Sequence, residues 1–160
     1  MYTCAQVGGL RAGFKQDWPM PRRASHSGLA ASETGTPQYT GPVLLIDDDL
    51  DFLDSLTQLL ESHGFRVVTA RNGVHGLQMF RAHSPALVIT DIMMPEEDGI
   101  GVMLQMRRER RDVKIIAISG SGKRGKFDYL AMALRLGADA AFLKHETDAL
   151  IETLDQMLKR

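Results

Sequence analysis

Short apolar runs alternate, in the last three quarters of the chain, with segments in which apolar residues recur every three or four positions. The short runs predict five strands, at residues 43–46, 66–70, 86–90, 114–118 and 140–143. The segments between them have helical spacing, as in the first one with Phe52, Leu53, Leu56, Leu59 and Leu60. Strand and helix therefore alternate along this part of the chain.

Capping residues agree with this division into elements. Gly64 and Gly137 stand where helices are expected to end, and Asp49 and Thr147 stand where helices are expected to begin. Near-continuous apolar strands that are separated by single helices predict a parallel sheet with right-handed crossovers and helices on both faces. The predicted fold class is a doubly wound α/β fold, in which ligands bind beyond the carboxyl ends of the strands.

The first 41 residues have a different texture. Glycines and prolines interrupt them repeatedly, and no helical or strand period is sustained. We predict a disordered N-terminal extension over residues 1–41 and a folded domain over residues 42–160. The alternative is that the large side chains of Phe14, Trp18 and Tyr39 dock on the domain or on a partner.

Composition narrows the classes of partner. The chain of 160 residues is 44% hydrophobic and 24% charged, with a formal net charge of −1. This balance is typical of one soluble globular domain and shows no basic excess, so we expect no nucleic-acid partner. The single cysteine, Cys4, cannot form an internal disulfide, and no apolar run approaches the roughly 20 residues of a membrane-spanning helix. We expect a cytoplasmic protein without a membrane partner.

Polar residues follow four of the predicted strands. Asp47 to Asp49 come after the first strand, Asp91 after the third, Ser119 after the fourth and Lys144 after the fifth. Carboxylates gathered at one edge of the sheet repel each other unless their pKa values rise or a cation binds. Because a site of oxygen ligands favours Mg²⁺, we expect that ion as the cofactor.

These residue types suit phosphoryl transfer. A carboxylate beside Mg²⁺, with Lys144 as a second cation, can attack phosphorus because both cations screen the approach of two anions. The product on Asp91 would be an acyl phosphate. Ser119 would then donate a hydrogen bond to one phosphoryl oxygen, and Lys144 would contact another.

Four sequence motifs together resemble the receiver domains of bacterial response regulators. They are Val-Leu-Leu-Ile-Asp-Asp-Asp at 43–49, Ile-Thr-Asp-Ile-Met-Met-Pro at 89–95, Ile-Ser-Gly at 118–120, and Gly-Ala-Asp-Ala-Ala-Phe-Leu-Lys at 137–144. The resemblance implies a flavodoxin-like receiver fold with strand order 2-1-3-4-5 for residues 42–160. It also implies that Asp91 is the phosphoacceptor and Asp48 a direct Mg²⁺ ligand. Asp47 would act on the ion largely through water, and the Met93 backbone carbonyl would be a further ligand.

The function implied by this resemblance is that of a stand-alone receiver, similar to the chemotaxis regulators. Its partners would be a sensor histidine kinase or histidine phosphotransfer protein, which donates the phosphoryl group, and an unidentified downstream protein. Such a domain catalyses its own phosphorylation and slow dephosphorylation, and we class it as a signalling phosphoprotein rather than an enzyme. Two alternatives stay open: a Mg²⁺-dependent phosphohydrolase that forms an aspartyl phosphate, and a pseudo-receiver scaffold that works without phosphorylation.

Two positions depart from the family pattern. His145 follows Lys144 where a proline is usual, and a cis bond before a non-proline residue costs about 2.5 to 4 kcal/mol, so we expect a trans bond. Ala141 occupies the place of an aromatic residue that turns inward on activation. Phe142 lies one position later and should face the other side of the sheet.

Overall fold

The computed structural model describes residues 41–94, 99–120, 123–124 and 127–158. Nearly all of the predicted N-terminal extension, residues 1–41, lies outside these described residues. Its predicted disorder, and the domain boundary at residue 42, therefore stay predictions.

The described chain alternates strands and helices as expected. In chain order, its elements are β1 (Val43–Ile46), α1 (Leu50–Ser62), β2 (Val67–Ala70), α2 (Gly73–His83), β3 (Leu87–Asp91), α3 (Gly99–Glu109), β4 (Lys114–Ser119), β5 (Lys123–Arg124), β6 (Phe127–Asp128), α4 (Tyr129–Leu136), β7 (Ala140–Leu143) and α5 (Thr147–Leu158). The main sheet has five parallel strands in the order β2-β1-β3-β4-β7. Since β7 is the fifth strand of this sheet along the chain, the predicted order 2-1-3-4-5 is confirmed.

The residues that were expected to limit helices do so. Asp49 caps α1, with its side chain accepting a hydrogen bond of 3.1 Å from the Phe52 amide. Gly137 ends α4 with a φ of +121°, in the left-handed region that glycine adopts without a steric penalty. Local chemistry at the helix ends thus agrees with the tertiary fold.

Two hydrophobic cores cover the two faces of the sheet. Side chains of α1 and α5 pack on one face, and side chains of α2, α3 and α4 pack on the other. Ala141 belongs to the core on the α3 and α4 side, whereas Phe142 belongs to the core on the α1 and α5 side. The doubly wound fold and the placement of Phe142 on the opposite face from Ala141 are both confirmed. The bond from Lys144 to His145 is trans, as predicted.

A short antiparallel hairpin separates β4 from α4. In it, Lys123 pairs with Asp128 and Arg124 pairs with Phe127. Asp128 also caps α4, because its side chain accepts a 3.0 Å hydrogen bond from the Ala131 amide. The sequence pattern did not predict this hairpin, since its strands have two residues each and no apolar run. Within the described ranges, none of the helices combines the length and apolar character needed to cross a membrane.

Candidate functional site

Strand register brings the predicted site residues to one edge of the sheet. Ile46 of β1 pairs with Thr90 of β3, so Asp47 and Asp91, which follow them, lie level with each other. Ser119, the last residue of β4, pairs with Leu143 of β7. The chain leaves the sheet at Lys144 directly after this pair. All four residues therefore stand at the carboxyl edge, as parallel strands require.

Three carboxylates cluster at this edge. Asp47, Asp48 and Asp91 each offer an oxygen, and these oxygens lie within 4.8 Å of one another. Asp47 and Asp91 are buried, whereas Asp48 is exposed. Asp49, the next acidic residue, is not part of the cluster, because its side chain caps α1. The cluster thus has a buried part and a part that solvent reaches.

Lys144 lies between the two buried carboxylates. Its Nζ is 2.8 Å from Asp47 Oδ1, 2.7 Å from Asp47 Oδ2 and 2.8 Å from Asp91 Oδ2. One ammonium therefore serves two carboxylates at short range, and the third carboxylate adds a further negative charge. The cluster as a whole carries excess negative charge, which favours a second cation.

Asp47 Oδ2 is the least satisfied atom of the cluster. It is buried, and no hydrogen bond with good geometry reaches it from the described part of the chain. Lys144 Nζ is close to it, but the well-directed hydrogen bond of this ammonium goes to Oδ1, which also accepts from the Asp49 amide at 2.9 Å. A buried carboxylate oxygen in this condition favours a cation, or a water that a cation holds, at its open side.

Burial and charge shift two pKa values in the cluster. Burial raises the pKa of Asp47 to about 6, and the nearby Asp91 charge adds to this rise, while hydrogen bonds from Lys144 and the Asp49 amide oppose it. Burial lowers the pKa of Lys144, but its hydrogen bonds to Asp47 and Asp91 outweigh this effect, so the net shift is upward. The ammonium thus stays charged.

The end of β3 orients Asp91. The Met93 amide donates a 2.8 Å hydrogen bond to Asp91 Oδ1, which leaves Oδ2 to Lys144. The first residue of α3, Gly99, lies so close that an added Cβ atom would be 2.0 Å from the Asp91 carbonyl oxygen. Glycine is therefore required there for α3 to begin beside this strand. The predicted role of the Met93 carbonyl as a metal ligand stays a prediction.

Ser119 lies at the expected place, at the carboxyl end of β4. It is fully buried at the end of β4, and its carbonyl accepts a 2.9 Å hydrogen bond from the Lys144 amide. This backbone bond ties the end of β4 to the residue that carries the ammonium. The contact that was predicted between the Ser119 hydroxyl and a phosphoryl group stays a prediction.

One residue of the site was missed. Phe52, in the first turn of α1, places its ring centroid 4.7 Å from Lys144 Nζ. The sequence pattern assigned Phe52 to the hydrophobic stripe of α1, and it does pack against the core on that face. Its position four residues after Asp48 was the available signal, because a side chain in the first turn of α1 lies near the carboxyl edge of β1.

The residues present fit Mg²⁺. The ion prefers about six oxygen ligands, and usually keeps several waters with one or two carboxylates. Here three carboxylates converge, one of them is exposed to solvent, and a buried oxygen of Asp47 lacks a well-directed donor. The donor set contains only oxygen, which excludes a thiolate or imidazole site of the zinc type.

A doubly wound parallel sheet with an acidic cluster and a lysine at its carboxyl edge defines a receiver-type α/β domain. Residues 43–155 match the family model of the response regulator receiver domain. The chain therefore belongs to this family, and it contains the receiver domain of a two-component response regulator. The family identified from the sequence motifs is confirmed.

Curated relatives agree with this assignment. The chain is 35% identical to the transcriptional regulatory protein CpxR homolog of Haemophilus influenzae over 119 residues. The matched segment is 74% of this chain and 50% of that protein. It is 31% identical to the photosynthetic apparatus regulatory protein RegA of Cereibacter sphaeroides, over 70% of this chain and 64% of that protein. A probable transcriptional regulator ycf27 of Pyropia yezoensis is 40% identical over 81 residues, which is 33% of its length.

Solved structures share the fold. A CheY-like receiver domain protein of Methanospirillum hungatei has a TM-score of 0.66 and 28% identity, over 74% of this chain and 93% of that one. The response regulator protein TrrA of Thermotoga maritima, solved in complex with Mg(2+)-BeF, has a TM-score of 0.64 and 29% identity, over 74% of this chain and all of that one. TrrA therefore shares the fold of this chain and was solved with magnesium bound.

The expectation that nucleic acid is not a partner is wrong. The relatives are named transcriptional regulators, a class of protein that acts at DNA. The expectation rested on the net charge of −1, but this charge describes only the 160 residues of this sequence. This chain spans between a third and a half of the length of the first relatives matched. A composition argument from such a span carries no information about the DNA contacts of the relatives.

Proposed function

We propose that the chain is a phosphorylation-controlled receiver in which Asp91 accepts a phosphoryl group from a phosphohistidine on a sensor kinase or a phosphotransfer protein. The observation that carries this proposal is the single ammonium of Lys144 held between two buried carboxylates, Asp47 and Asp91, beside a third. Such an arrangement has one nucleophile, one fixed cation and an excess of negative charge that a second cation would neutralise.

Asp47, Asp48, Asp91 and the Met93 carbonyl would hold Mg²⁺, with Asp47 acting largely through water. When bound, the ion supplies positive charge that offsets the repulsion between the carboxylates and the incoming phosphoryl oxygens. The uneven exposure of the cluster supports this assignment, because Asp48 is open to solvent and hydrated ions arrive from solvent.

Asp91 performs the covalent step. One of its carboxylate oxygens forms a bond to phosphorus while the bond from phosphorus to the imidazole nitrogen of the donor breaks. The electron pair of that broken bond stays on the nitrogen, and the product is an aspartyl phosphate. The hydrogen bond from the Met93 amide to Asp91 Oδ1 restricts rotation of this carboxylate. Restricting the nucleophile lowers the entropy cost of reaching the transition state.

Lys144 changes partners during this step. Without a metal, its ammonium contacts both Asp47 and Asp91, at 2.7 to 2.8 Å. Once another cation neutralises these carboxylates, the ammonium is available to a phosphoryl oxygen. The Ser119 hydroxyl, buried at the end of the neighbouring strand, donates to a second phosphoryl oxygen. Phosphorylation then alters the surface that a downstream partner binds, and the names of the relatives make transcription the leading candidate for the output.

The two alternative functions are less well supported. A phosphohydrolase of the aspartyl phosphate type needs an acid two residues after the nucleophile to protonate the leaving group, and here that residue is Met93. We therefore infer a signalling domain with slow turnover, and a cytoplasmic location remains our prediction. A scaffold that works without phosphorylation has no need of a buried, charge-excess cluster, which costs stability.

Labelling with a small phosphodonor tests the proposal. Incubation with acetyl phosphate and Mg²⁺ should place one phosphoryl group per chain on Asp91, and hydroxylamine should release it. Asp91→Asn should lose the label completely. Asp49→Asn is the matched control, because asparagine also caps a helix and Asp49 serves α1 rather than the cluster. Full labelling of Asp91→Asn would overturn the proposal. Rapid turnover of acetyl phosphate by the wild type, with no label accumulating on Asp91, would do the same, because it would indicate a phosphohydrolase.

A further inference from the structure

The ring of Phe52 completes the surroundings of the Lys144 ammonium. On one side the ammonium contacts Asp47 and Asp91, and on another the ring centroid of Phe52 lies 4.7 Å away. This distance is within the range in which the negative face of an aromatic ring attracts a cation. The side chain of Lys144 is only 17% exposed, so water competes little with this contact.

We propose that Phe52 is a positioning residue for phosphoryl binding, because its ring holds the Lys144 ammonium at the carboxyl edge while the carboxylates pass to Mg²⁺. This inference rests on the proposed function. It assigns to α1 a part in the chemistry of the site, in addition to the capping role of Asp49 and the packing of its apolar stripe.

The reason lies in the partners that Lys144 loses. A lysine side chain has four flexible carbons, and a cation at the cluster would compete for both carboxylates that now fix its end. The ring is the partner that such a cation does not compete for, since Mg²⁺ takes oxygen ligands. Phe52 thus limits the volume that the free ammonium samples, and the phosphoryl group meets a cation already near its place.

A purely structural role for Phe52 makes a different prediction. Phe52 packs at the margin of the core between α1 and α5, as does Leu59, about two helical turns further along the same face. Both side chains are half-buried. If packing were the whole role, shortening either residue would lower stability and leave ligand binding alone. Leu59 is therefore a matched control for Phe52.

Binding of beryllium fluoride, a phosphoryl mimic, separates the two roles. In saturating Mg²⁺, Phe52→Leu should weaken beryllium fluoride binding by about 3- to 30-fold, the range expected for loss of a partly desolvated cation–π contact. The affinity for Mg²⁺ alone should stay within about twofold, because the carboxylates are unchanged. Phe52→Tyr should keep both affinities, since it keeps the ring. Leu59→Ala should also keep both.

The metal-free protein offers a second readout. The ε-methylene protons of Lys144 should be shifted upfield by the ring current in the wild type and in Phe52→Tyr, and this shift should vanish in Phe52→Leu. A double-mutant cycle completes the test, since Phe52→Leu should have no further effect on beryllium fluoride binding in a Lys144→Gln background.

The outcomes distinguish the inference from the function beneath it. Equal beryllium fluoride affinities in the wild type and Phe52→Leu would overturn the inference alone. Equal losses on Phe52→Leu substitution in the wild-type and Lys144→Gln backgrounds would do the same. A wild type that binds no beryllium fluoride in Mg²⁺ would overturn the proposed function and this inference together.

Discussion

The two ends of the sheet each hold a cluster of charged side chains, largely buried at the carboxyl edge and partly exposed at the amino edge, and the clusters are built in opposite ways. At the carboxyl edge, one ammonium faces three carboxylates and Asp47 Oδ2 lacks a well-directed donor. At the amino edge, Arg107 of α3 binds several acceptors in the loops around β4 and β7, namely the carbonyls of Arg111, Val113 and Gly137 and the carboxylate of Asp139 at 2.6 Å. Asp139 Oδ2 also accepts from the Ile115 amide at 2.9 Å.

This difference separates a structural cluster from a functional one. At the amino edge, the Asp139 carboxylate has two cationic partners, Arg107 at 2.6 Å and Lys114 at 3.9 Å, so its negative charge is fully compensated. The donors of Arg107 also reach carbonyl acceptors, and the cluster fastens α3 to the starts of β4 and β7. At the carboxyl edge, negative charge is in excess and part of it is buried, which disfavours the folded state. A protein tolerates such a cost where the charge serves binding or chemistry.

The largest effect on stability should come from the amino edge. Arg107→Met should lower the free energy of unfolding by about 2 to 4 kcal/mol, because it removes the cation nearest to the Asp139 carboxylate and takes a donor from several backbone carbonyls. Urea denaturation measures this change. Arg108→Met, an exposed neighbour on the same helix, is the control. Labelling of Asp91 by acetyl phosphate should persist in Arg107→Met under folding conditions, and its loss there would show that the two ends are coupled.

A smaller effect of opposite sign is expected from Asp47. Its pKa rises from 3.8 to about 6 on folding, so between these values the folded protein binds more protons than the unfolded protein, and stability falls as pH rises. Asp47→Asn should therefore stabilise the metal-free protein at pH 7, by about 1 to 3 kcal/mol. It should also flatten the pH dependence of the melting temperature between pH 4 and 6. Destabilisation by this substitution at pH 7 would show that the pair with Lys144 outweighs the cost of burial.

The smallest of these effects concerns the metal. Free Mg²⁺ at ten times its dissociation constant should stabilise the wild type by about 1.4 kcal/mol, as measured by thermal unfolding with and without the ion. Asp48→Asn should reduce this increment, whereas Asp49→Asn should keep it because the helix cap is retained. Equal loss of the increment in both variants would mean that net charge, rather than coordination, attracts the ion.

Local sequence signals predicted the framework of both ends but not their side-chain contacts. Each strand of the main sheet was visible as an apolar run, and the parallel order placed Asp47, Asp91 and Lys144 together because each follows a strand. The position of the Lys144 ammonium between two carboxylates could not be predicted, since it depends on rotamers of a long side chain and on register between distant strands. The contact of the Phe52 ring with this ammonium depends on rotamers in the same way, although the place of Phe52 in the first turn of α1 indicated that it lies near this edge.

The cluster of charged side chains at the amino edge was not predicted. Arg107 and Asp139 are 32 residues apart, and each has an ordinary local explanation as a charge near a helix end or in a turn. Helical spacing alone also does not settle burial, since Met132 of α4 is 37% exposed. Periodicity tells which face of a helix is apolar, whereas the neighbours present in the fold decide which part of that face is covered.

The closeness of Gly99 to the Asp91 carbonyl oxygen has a consequence for how this protein can change over evolutionary time. Every single-base change that gives position 99 a side chain brings a Cβ atom to about the same place, 2.0 Å from that oxygen. Even alanine would have to push the start of α3 away from β3, and the strand it would disturb carries Asp91. The size of the replacement makes no difference, because the clash is already made by the Cβ atom, which every residue other than glycine carries. Substitutions in this stretch are therefore expected at the positions around Gly99 and not at Gly99 itself. The junction between β3 and α3 should keep its glycine while the neighbouring residues change.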